Sequence, residues 1–334
     1  MNTVADFTER ELVARISSQL PPPPAWMPVG IGDDAAVIEP EKNRLEVLSV
    51  DALVEGVHFD RAFTPARAIG HRALAVNLSD LAAMGAAPRA CLVSLALPSL
   101  LPVADFDAMI EGLAALARQY RVYVAGGNLT RSPGPMMIDI TITGTAKRRQ
   151  LLTRSGARPG DELYVTGTVG SAAAGLAMLK ERSAAADDGA NPCVARYLYP
   201  QPRIRMGLLV ARNRAATAGV DLSDGLADAV QQIAHVSGVG AIIEADAVPV
   251  EPAAHEWFSR HGTDPVRSAI TGGDDYELLL AVRPRIARRL TAARRHGDVP
   301  LTRIGVCTEN QAMLLNCGSG SGPISLPTGF HHFR

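Results

Sequence analysis

The sequence predicts a two-domain protein whose N-terminal half has an α+β fold. The chain has 334 residues, more than one hydrophobic core usually serves. Strand-like and helix-like patterns are mixed along the first half, and residues 136–145 alternate apolar and polar side chains as a half-exposed antiparallel strand does. Residues 146–160 carry charge, glycine and proline with little periodicity. We therefore expect domains at 1–148 and 149–334.

The elements of the first half follow from hydrophobic spacing and from proline and glycine positions. A helix around Leu12 ends at four prolines that cannot continue it. Further elements are expected in this order: a short strand at 45–50 that delivers Ser49 and Asp51 at its end, a helix from Thr64 to Gly85, a buried strand at 91–97, an amphipathic helix at 105–120, and a strand at 122–125 that ends in Gly126, Gly127 and Asn128.

The second half continues with alternating strand and helix patterns. Strands are expected at 162–166, 241–244 and 276–282, and a helix from Ser171 to Lys180. Either Ser223 or Asp224 is expected to open another helix, because both side chains can cap a helix N-terminus.

Composition excludes several classes of protein. The net charge of −1 argues against a nucleic-acid binder, and no run of about 18 apolar residues indicates a membrane span. The first ten residues lack the pattern of a signal peptide, so we expect a cytoplasmic protein. Four scattered cysteines indicate neither a zinc site nor a disulfide framework. No lysine follows a glycine-rich loop, so a phosphate-binding loop of that type is absent.

Acidic turns recur along the chain and predict a metal site. Asp33 and Asp34 lie in the glycine-punctuated stretch V-G-I-G-D-D-A-A-V, and similar turns surround Asp51, Asp80 and Asp224 and the pair at 274–275. Two unit charges about 4 Å apart repel by roughly 4 kcal/mol at an effective dielectric of about 20. Convergent carboxylates therefore need cations. Oxygen ligands without clustered histidine or cysteine favour Mg²⁺, which proteins bind mostly together with phosphates.

Eight motifs follow one another across nearly the whole chain: G-I-G-D-D-A-A-V, S-V-D-A-L-V-E-G-V-H-F, V-N-L-S-D-L-A-A-M-G-A, L-T-R-S-G, V-T-G-T-V-G-S-A-A-A-G-L, D-L-S-D-G-L, G-G-D-D-Y-E-L and the terminal G-F-H-H-F. Together and in this order, they resemble the thiamine-monophosphate kinase family. The resemblance implies an aminoimidazole ribonucleotide synthetase-like fold: an N-terminal α+β domain that forms a homodimer through its sheet, and a C-terminal α/β domain.

The resemblance also implies the reaction and its residues. ATP would phosphorylate thiamine monophosphate to thiamine diphosphate, the final step of thiamine diphosphate biosynthesis. The acceptor phosphate is already largely ionised at neutral pH, so no general base is required. The implied Mg²⁺ ligands are Asp34, Ser49, Val50, Asp51, Asp80, Asn128, Asp221 and Asp224. The implied ATP-binding residues are Gly127, Asn128, Arg154 and Ser223, and the implied substrate-binding residues are His58, Asp274 and Phe330. For Ser79 and Ser223, helix capping and direct contact are both open.

The chain departs from the family pattern at five positions. Asn128 stands where the family has aspartate, which keeps an oxygen but loses a charge. Val50 replaces a threonine and offers a cation only its carbonyl oxygen. Asp274 is one methylene shorter than the usual glutamate, and Phe330-His331 replaces Tyr-Asp.

Alternative functions come from the same superfamily and from a different class of protein. The hydrogenase-maturation dehydratase and the selenophosphate synthetase use a terminal cysteine or selenocysteine, and this chain has no cysteine before Cys91 and ends in His-Phe-Arg. The purine-pathway synthetase belongs to the same group. A catalytically silent nucleotide sensor is the alternative outside it, and Asn128 is the residue that favours it.

Overall fold

The computed structural model describes residues 2–182, 191–318 and 322–329, which form two compact units. The first unit holds residues up to Leu78 together with Ala87–Lys147. The second holds Ser79–Ala86 and the described residues from Arg148 onward. Along these described residues, no helix combines the length and apolar composition needed to cross a bilayer.

The first unit is built from three helices and four strands. In chain order they are α1 (Glu9–Gln19), β1 (Leu45–Val54), α2 (Ala66–Ala83), β2 (Ala87–Pro98), α3 (Val103–Tyr120), β3 (Tyr123–Ser132) and β4 (Met137–Ala146). The last five residues of α2 belong to the second unit. Thr8 caps α1 in a capping box with Glu11, and the C-terminal proline run follows, as the sequence predicts.

The sheet of the first unit has the order β1-β4-β2-β3. Strand β4 is antiparallel to β1 and β2, whereas β2 and β3 are parallel. Ile138, Ile140 and Ile142 of β4 are buried, which confirms the predicted antiparallel alternation. On the opposite face, Leu48 and Val50 of β1 are exposed to 69% and 58%. This sheet therefore has one buried face and one face with accessible apolar side chains.

Three sequence predictions in this unit are wrong in detail. Strand β1 continues to Val54, so Ser49 and Asp51 lie inside it rather than at its end. Strand β3 continues through Gly126, Gly127 and Asn128 to Ser132, because a register shift against β2 absorbs Ala125 and keeps the later residues paired. Strand β2 is not buried throughout, since Leu92 is exposed.

The second unit contains seven strands and seven helices among the described residues. In chain order they are β5 (Glu162–Thr166), α4 (Ser171–Arg182), α5 (Pro192–Leu198), α6 (Ile204–Asn213), β6 (Ala218–Asp221), α7 (Leu226–Ser237), β7 (Gly240–Glu244), α8 (Pro252–Arg260), α9 (Pro265–Thr271), β8 (Leu278–Val282), α10 (Thr291–His296), β9 (Leu301–Thr308), β10 (Met313–Asn316) and β11 (Ile324–Ser325).

The sheet of the second unit has the order β11-β10-β7-β9-β5-β8-β6. Its strand pairs are antiparallel except β7 with β10. Strand β8 is buried along its whole length, and the inward residues Val230 and Ile233 of α7 belong to the same core. The sheet thus brings the C-terminal end of β6 next to the N-terminal end of β8, so that the D-L-S-D-G-L motif begins where the G-G-D-D-Y-E-L motif ends.

Helix α7 does not start as predicted. Neither Ser223 nor Asp224 caps it. Gly225 occupies the N-cap position with φ of +97°, and no side chain makes a cap hydrogen bond there. Glycine reaches this backbone region without the penalty that other residues incur. Ser223 and Asp224 are therefore in the loop before the helix.

Candidate functional site

The acidic turn of the first unit is a closed loop. Val29 and Val37 pair across its base, where the Val37 amide donates to the Val29 carbonyl at 2.9 Å. Gly32 has φ of +114°, and the Asp34 amide donates to Asp33 Oδ1 at 2.8 Å. Asp33 and Asp34 are exposed. The loop therefore presents two neighbouring carboxylates close to the main chain, as the glycine spacing predicts.

One cavity of the first unit brings together three of the predicted residues. Asp34, Gly127 and Asn128 line this cavity, whose volume is about 770 Å³. A cavity of this size suits a small-molecule ligand. A Cβ at Gly127 would lie 1.8 Å from the Val93 carbonyl oxygen, so this glycine is required for β3 to pair with β2.

Asp139 is a residue of this cavity that sequence reasoning did not select. Asn128 pairs with Ser94 across β3 and β2, and Ser94 pairs with Asp139 across β2 and β4. Paired residues share a sheet face, so these three oxygen-bearing side chains form one row across the sheet. Asp139 also lines the cavity. The polar half of the alternation at 136–145 was the signal that marked it.

Ser49 and Asp51 lie on β1, on the opposite face from Val50. Alternate residues of a strand share a face, so Ser49 and Asp51 lie together. The Asp51 amide donates to Asn77 Oδ1 at 3.1 Å, and Asn77 Nδ2 donates to the Ala73 carbonyl within α2. The fully buried Asn77 thus fixes the main chain at Asp51. The side chain of Val50 points to the open face, so only its carbonyl oxygen is available to a cation.

His58 lies in the turn after β1. Its Nδ1 accepts a hydrogen bond from the Val54 amide at 3.1 Å, which places the proton of the neutral ring on Nε2. The ring is half-buried. This hydrogen bond fixes the orientation of the imidazole ring.

A buried carboxylate next to a second acid is the central electrostatic feature of the second unit. Asp221 ends β6 and is 5% exposed. Burial, and next the charge of Asp80, raise the pKa of Asp221 to about 7, whereas a hydrogen bond from Ser79 and the charge of Arg154 act to lower that pKa. Ser79 Oγ donates to Asp221 Oδ2 at 2.7 Å.

The Ser79 contact resolves one of the open alternatives. Ser79 lies inside α2 and not at its start, so helix capping is wrong for this residue. Its hydroxyl instead orients the Asp221 carboxylate. Arg154 is exposed in the segment after Arg148, close enough for its charge to act on Asp221. The sequence spacing of Ser79 and Asp221 gave no signal for their contact.

The loops before α7 and before β8 are hydrogen-bonded to each other. The Asp274 amide donates to the Ser223 carbonyl at 2.8 Å, and the Tyr276 amide donates to the Leu222 carbonyl at 3.1 Å. A Cβ at Gly273 would lie 2.6 Å from the Ser223 carbonyl oxygen. The structure thus brings the segment that contains Ser223 and Asp224 against the segment that contains Asp274.

Two further acids of the G-G-D-D-Y-E-L motif are buried, which the sequence did not predict. Asp275 accepts hydrogen bonds from the amides of Gly170 and Ala172 at 2.7 and 3.1 Å, at the start of α4. Glu277 is fully buried and forms ion pairs with Arg196 and Arg203. Arg203 Nε donates to Glu277 Oε2 at 2.7 Å. These residues hold the loop rather than face a ligand.

The donor set fits Mg²⁺. The predicted ligands supply carboxylate, hydroxyl and carbonyl oxygens, which are the donors that this ion prefers. Within the described ranges, no group of three or more His, Cys, Asp and Glu side chains could hold a metal ion. Pairs such as Asp80 and Asp221 do occur, and Mg²⁺ is commonly bound by one or two carboxylates together with phosphates. Phe330, predicted on the substrate side, lies outside the described residues.

Comparisons with known proteins identify the family. Two family models match: AIR synthase related protein, N-terminal domain, at residues 32–146, and AIR synthase related protein, C-terminal domain, at residues 158–315. Thiamine-monophosphate kinase of Escherichia coli strain K12 is 40% identical over 332 residues, which cover 97% of this chain and 98% of the relative.

Solved structures agree with this relationship. The crystal structure of thiamine-monophosphate kinase from Stenotrophomonas maltophilia K279a has a TM-score of 0.80 and 36% identity, covering 93% of this chain and 96% of that one. The solved structure of AaThiL complexed with AMPPCP and TMP has a TM-score of 0.73 and 28% identity. The match covers 96% of this chain and 98% of that one. The expected fold is thus confirmed, and this chain belongs to the thiamine-monophosphate kinase family.

Proposed function

We propose that this chain phosphorylates thiamine monophosphate with ATP and releases thiamine diphosphate. The observation that supports this most directly is the pairing of the buried Asp221 with Asp80, steadied by the Ser79 hydroxyl. Two acids of this kind are tolerated when a cation binds to them, and a cation there would attract phosphate groups. Family membership supports ATP as the donor and the monophosphate as the acceptor.

The proposed mechanism is direct in-line transfer assisted by Mg²⁺. The residues proposed to hold the ions are Asp34, Ser49, Val50, Asp51, Asp80, Asn128, Asp221 and Asp224. When bound, Mg²⁺ neutralises charge that develops on the phosphoryl oxygens. Because the acceptor is a phosphate oxygen that is already ionised, no side chain has to remove a proton from it. The protein then contributes position and electrostatics.

The nucleotide-binding residues in this proposal are Gly127, Asn128, Arg154 and Ser223. Gly127 lines the cavity with its main chain, which a nucleotide can approach closely. Arg154 is exposed, and its forked donors suit phosphate oxygens. His58, Asp274 and Phe330 are proposed to contact thiamine monophosphate, with Asp274 as acceptor for the aminopyrimidine.

We propose further that the N-terminal domain, at 1–148, forms the homodimer interface through its sheet. Leu48, Val50 and Leu92 supply accessible apolar surface on the open face of that sheet. Exposed apolar patches of this kind mark interaction surfaces. The C-terminal domain is proposed at 149–334. We assign the reaction to the cytoplasm, because ATP is the proposed donor.

A reaction assay with several acceptors tests the function. The full chain is incubated with ATP and Mg²⁺ and with thiamine monophosphate, thiamine or hydroxymethylpyrimidine phosphate, and products are separated by chromatography. We expect thiamine diphosphate from the monophosphate alone, with equimolar ADP, and no product in EDTA. Asp221→Asn should lower the rate at least about 100-fold. Asp264→Asn, which changes an exposed carboxylate at the start of α9, should retain it.

The same assay distinguishes the kinase from a catalytically silent nucleotide sensor. Tight ATP binding without turnover on any acceptor would contradict the kinase and support a nucleotide sensor. Thiamine diphosphate formation that persists in EDTA would contradict the role of Mg²⁺ and leave the kinase reaction standing.

A further inference from the structure

The loop that contains Asp274 has an unusual backbone. Asp274 and Tyr276 have φ of +67° and +50°, although neither is glycine. Left-handed conformations cost free energy for residues with a Cβ, and bulky residues such as tyrosine adopt them rarely. Residues held in this way persist only where the surrounding structure enforces them, and they cluster at functional sites.

Several contacts of the second unit enforce this backbone. The amides of Asp274 and Tyr276 donate to the carbonyls of Ser223 and Leu222, and the Leu222 amide donates to the Glu277 carbonyl at 2.8 Å. Between the two residues, the buried Asp275 accepts hydrogen bonds from the amides of Gly170 and Ala172 at the start of α4. The ion pairs of Glu277 fix the end of the loop. Hydrogen bonds and ion pairs of the neighbouring residues therefore hold Asp274 and Tyr276 in their left-handed conformations.

The consequence of this backbone is a side-chain contact between alternate residues. The Tyr276 hydroxyl donates a hydrogen bond to Asp274 Oδ1 at 2.9 Å. Tyr276 is 6% exposed, so its ring is packed and its hydroxyl has a defined position. A hydrogen bond to a charged acceptor is among the stronger ones in proteins.

We propose that Tyr276 is a positioning residue that holds the Asp274 carboxylate in the orientation in which it accepts from thiamine monophosphate. This inference rests on the proposed function and assigns a role that the resemblance does not give. The aspartate side chain is short, so its carboxylate tolerates little error in orientation. The Tyr276 hydroxyl already restricts rotation of the Asp274 side chain. Less conformational entropy is therefore lost when thiamine monophosphate binds.

The chain contains a closely matched control. Tyr164, in β5, donates to Glu162 Oε2 at 2.9 Å, also across two residues, and is 4% exposed. Tyr276→Phe and Tyr164→Phe therefore each remove a tyrosine hydroxyl that donates to a carboxylate two residues earlier. Only the first deletion lies beside a proposed substrate residue.

The test measures binding of thiamine monophosphate by titration calorimetry, in the presence of AMPPCP and Mg²⁺, for the wild type and four variants of the full chain. The variants are Tyr276→Phe, Tyr164→Phe, Asp274→Asn and the double variant Tyr276→Phe/Asp274→Asn. We expect Tyr276→Phe to raise the Kd for thiamine monophosphate about tenfold and to keep the Kd for AMPPCP within about twofold of the wild-type value. Tyr164→Phe should change neither.

The double variant separates positioning from general loosening. If Tyr276 acts through Asp274, Tyr276→Phe should change the Kd less than about twofold in the Asp274→Asn background. An equal loss in both backgrounds, equal losses for both ligands, or an unchanged Kd would overturn the inference.

Turnover is measured separately, so the two proposals fail in different ways. A wild type that binds thiamine monophosphate without phosphorylating it would refute the proposed function and leave the inference to the binding data. A wild type that does not bind it would overturn both.

Discussion

Neutralising Asp275 should make the protein less sensitive to pH. This carboxylate is buried, and desolvation is the main reason why its pKa is raised from 3.8 to about 7. The amides of Gly170 and Ala172 and the charge of Arg196 act in the opposite direction, and the charge of Glu277 raises the pKa further. The carboxylate is therefore less favourable in its charged form in the folded protein than in the unfolded chain.

The sign of the effect follows from proton uptake. Between pH 3.8 and about 7 the folded state holds a proton on Asp275 that the unfolded chain has lost. Stability from this group is thus present at low pH, falls as pH rises through this window, and levels off about one pH unit above the folded-state pKa. From pH 5 to pH 8 the loss is about 2.6 kcal/mol, at 1.36 kcal/mol per pKa unit. For a unit of this size this corresponds to about 5–10 °C in Tm.

The assay is thermal unfolding of the wild type and Asp275→Asn at pH 5, 6, 7 and 8. Asparagine has nearly the same shape and stays neutral, so the Tm of the variant relative to the wild type should rise by about 5–10 °C from pH 5 to pH 8. Any hydrogen bond that asparagine fails to make at α4 gives an offset that is the same at every pH. Asp264→Asn, at the exposed start of α9, should follow the wild-type curve. Parallel curves for the wild type and Asp275→Asn would refute the reasoning.

Three more variants test the site and the interface. Ser79→Ala should lower the free energy of unfolding by about 1–3 kcal/mol, because the buried Asp221 loses a donor; urea titration measures this, and an unchanged midpoint would contradict it. Asn128→Asp should lower the Mg²⁺ concentration for half-maximal turnover several-fold, because it adds a ligand charge beside the cavity. Unaltered Mg²⁺ dependence would show that position 128 does not contact the ion. Leu48→Arg should convert the proposed dimer to a monomer in light scattering at micromolar concentration, and a persistent dimer would exclude this face.

Local pattern was sufficient for most elements of the fold. The alternation of apolar and polar residues at 136–145 predicted β4, and the helical spacing of apolar residues followed by prolines predicted α1. Errors arose where the outcome depends on pairing with distant residues. Asn128 lies inside β3 only because a register shift against β2 extends the pairing, and no local signal encodes that shift.

The site shows the same division between local and distant information. The acidic motifs marked the segments that are proposed to bind metal and nucleotide, and Asp34 and Asn128 line the same cavity. The sequence could not distinguish the acids that face a ligand from those that hold a loop. Glu277 is buried because Arg196 and Arg203, more than 70 positions earlier, neutralise it, and that contact exists only in the folded chain.

The neighbouring residues Gly127 and Asn128 differ in how freely evolution can change them. Any side chain at 127 would collide with the carbonyl of Val93 and separate two strands, so this position is locked by the fold. Asn128 is exposed, and its replacement leaves the strand pairing intact. The charge beside the cavity can therefore change without loss of the scaffold, so under the proposed function a substitution at position 128 can alter metal binding, whereas position 127 must stay glycine.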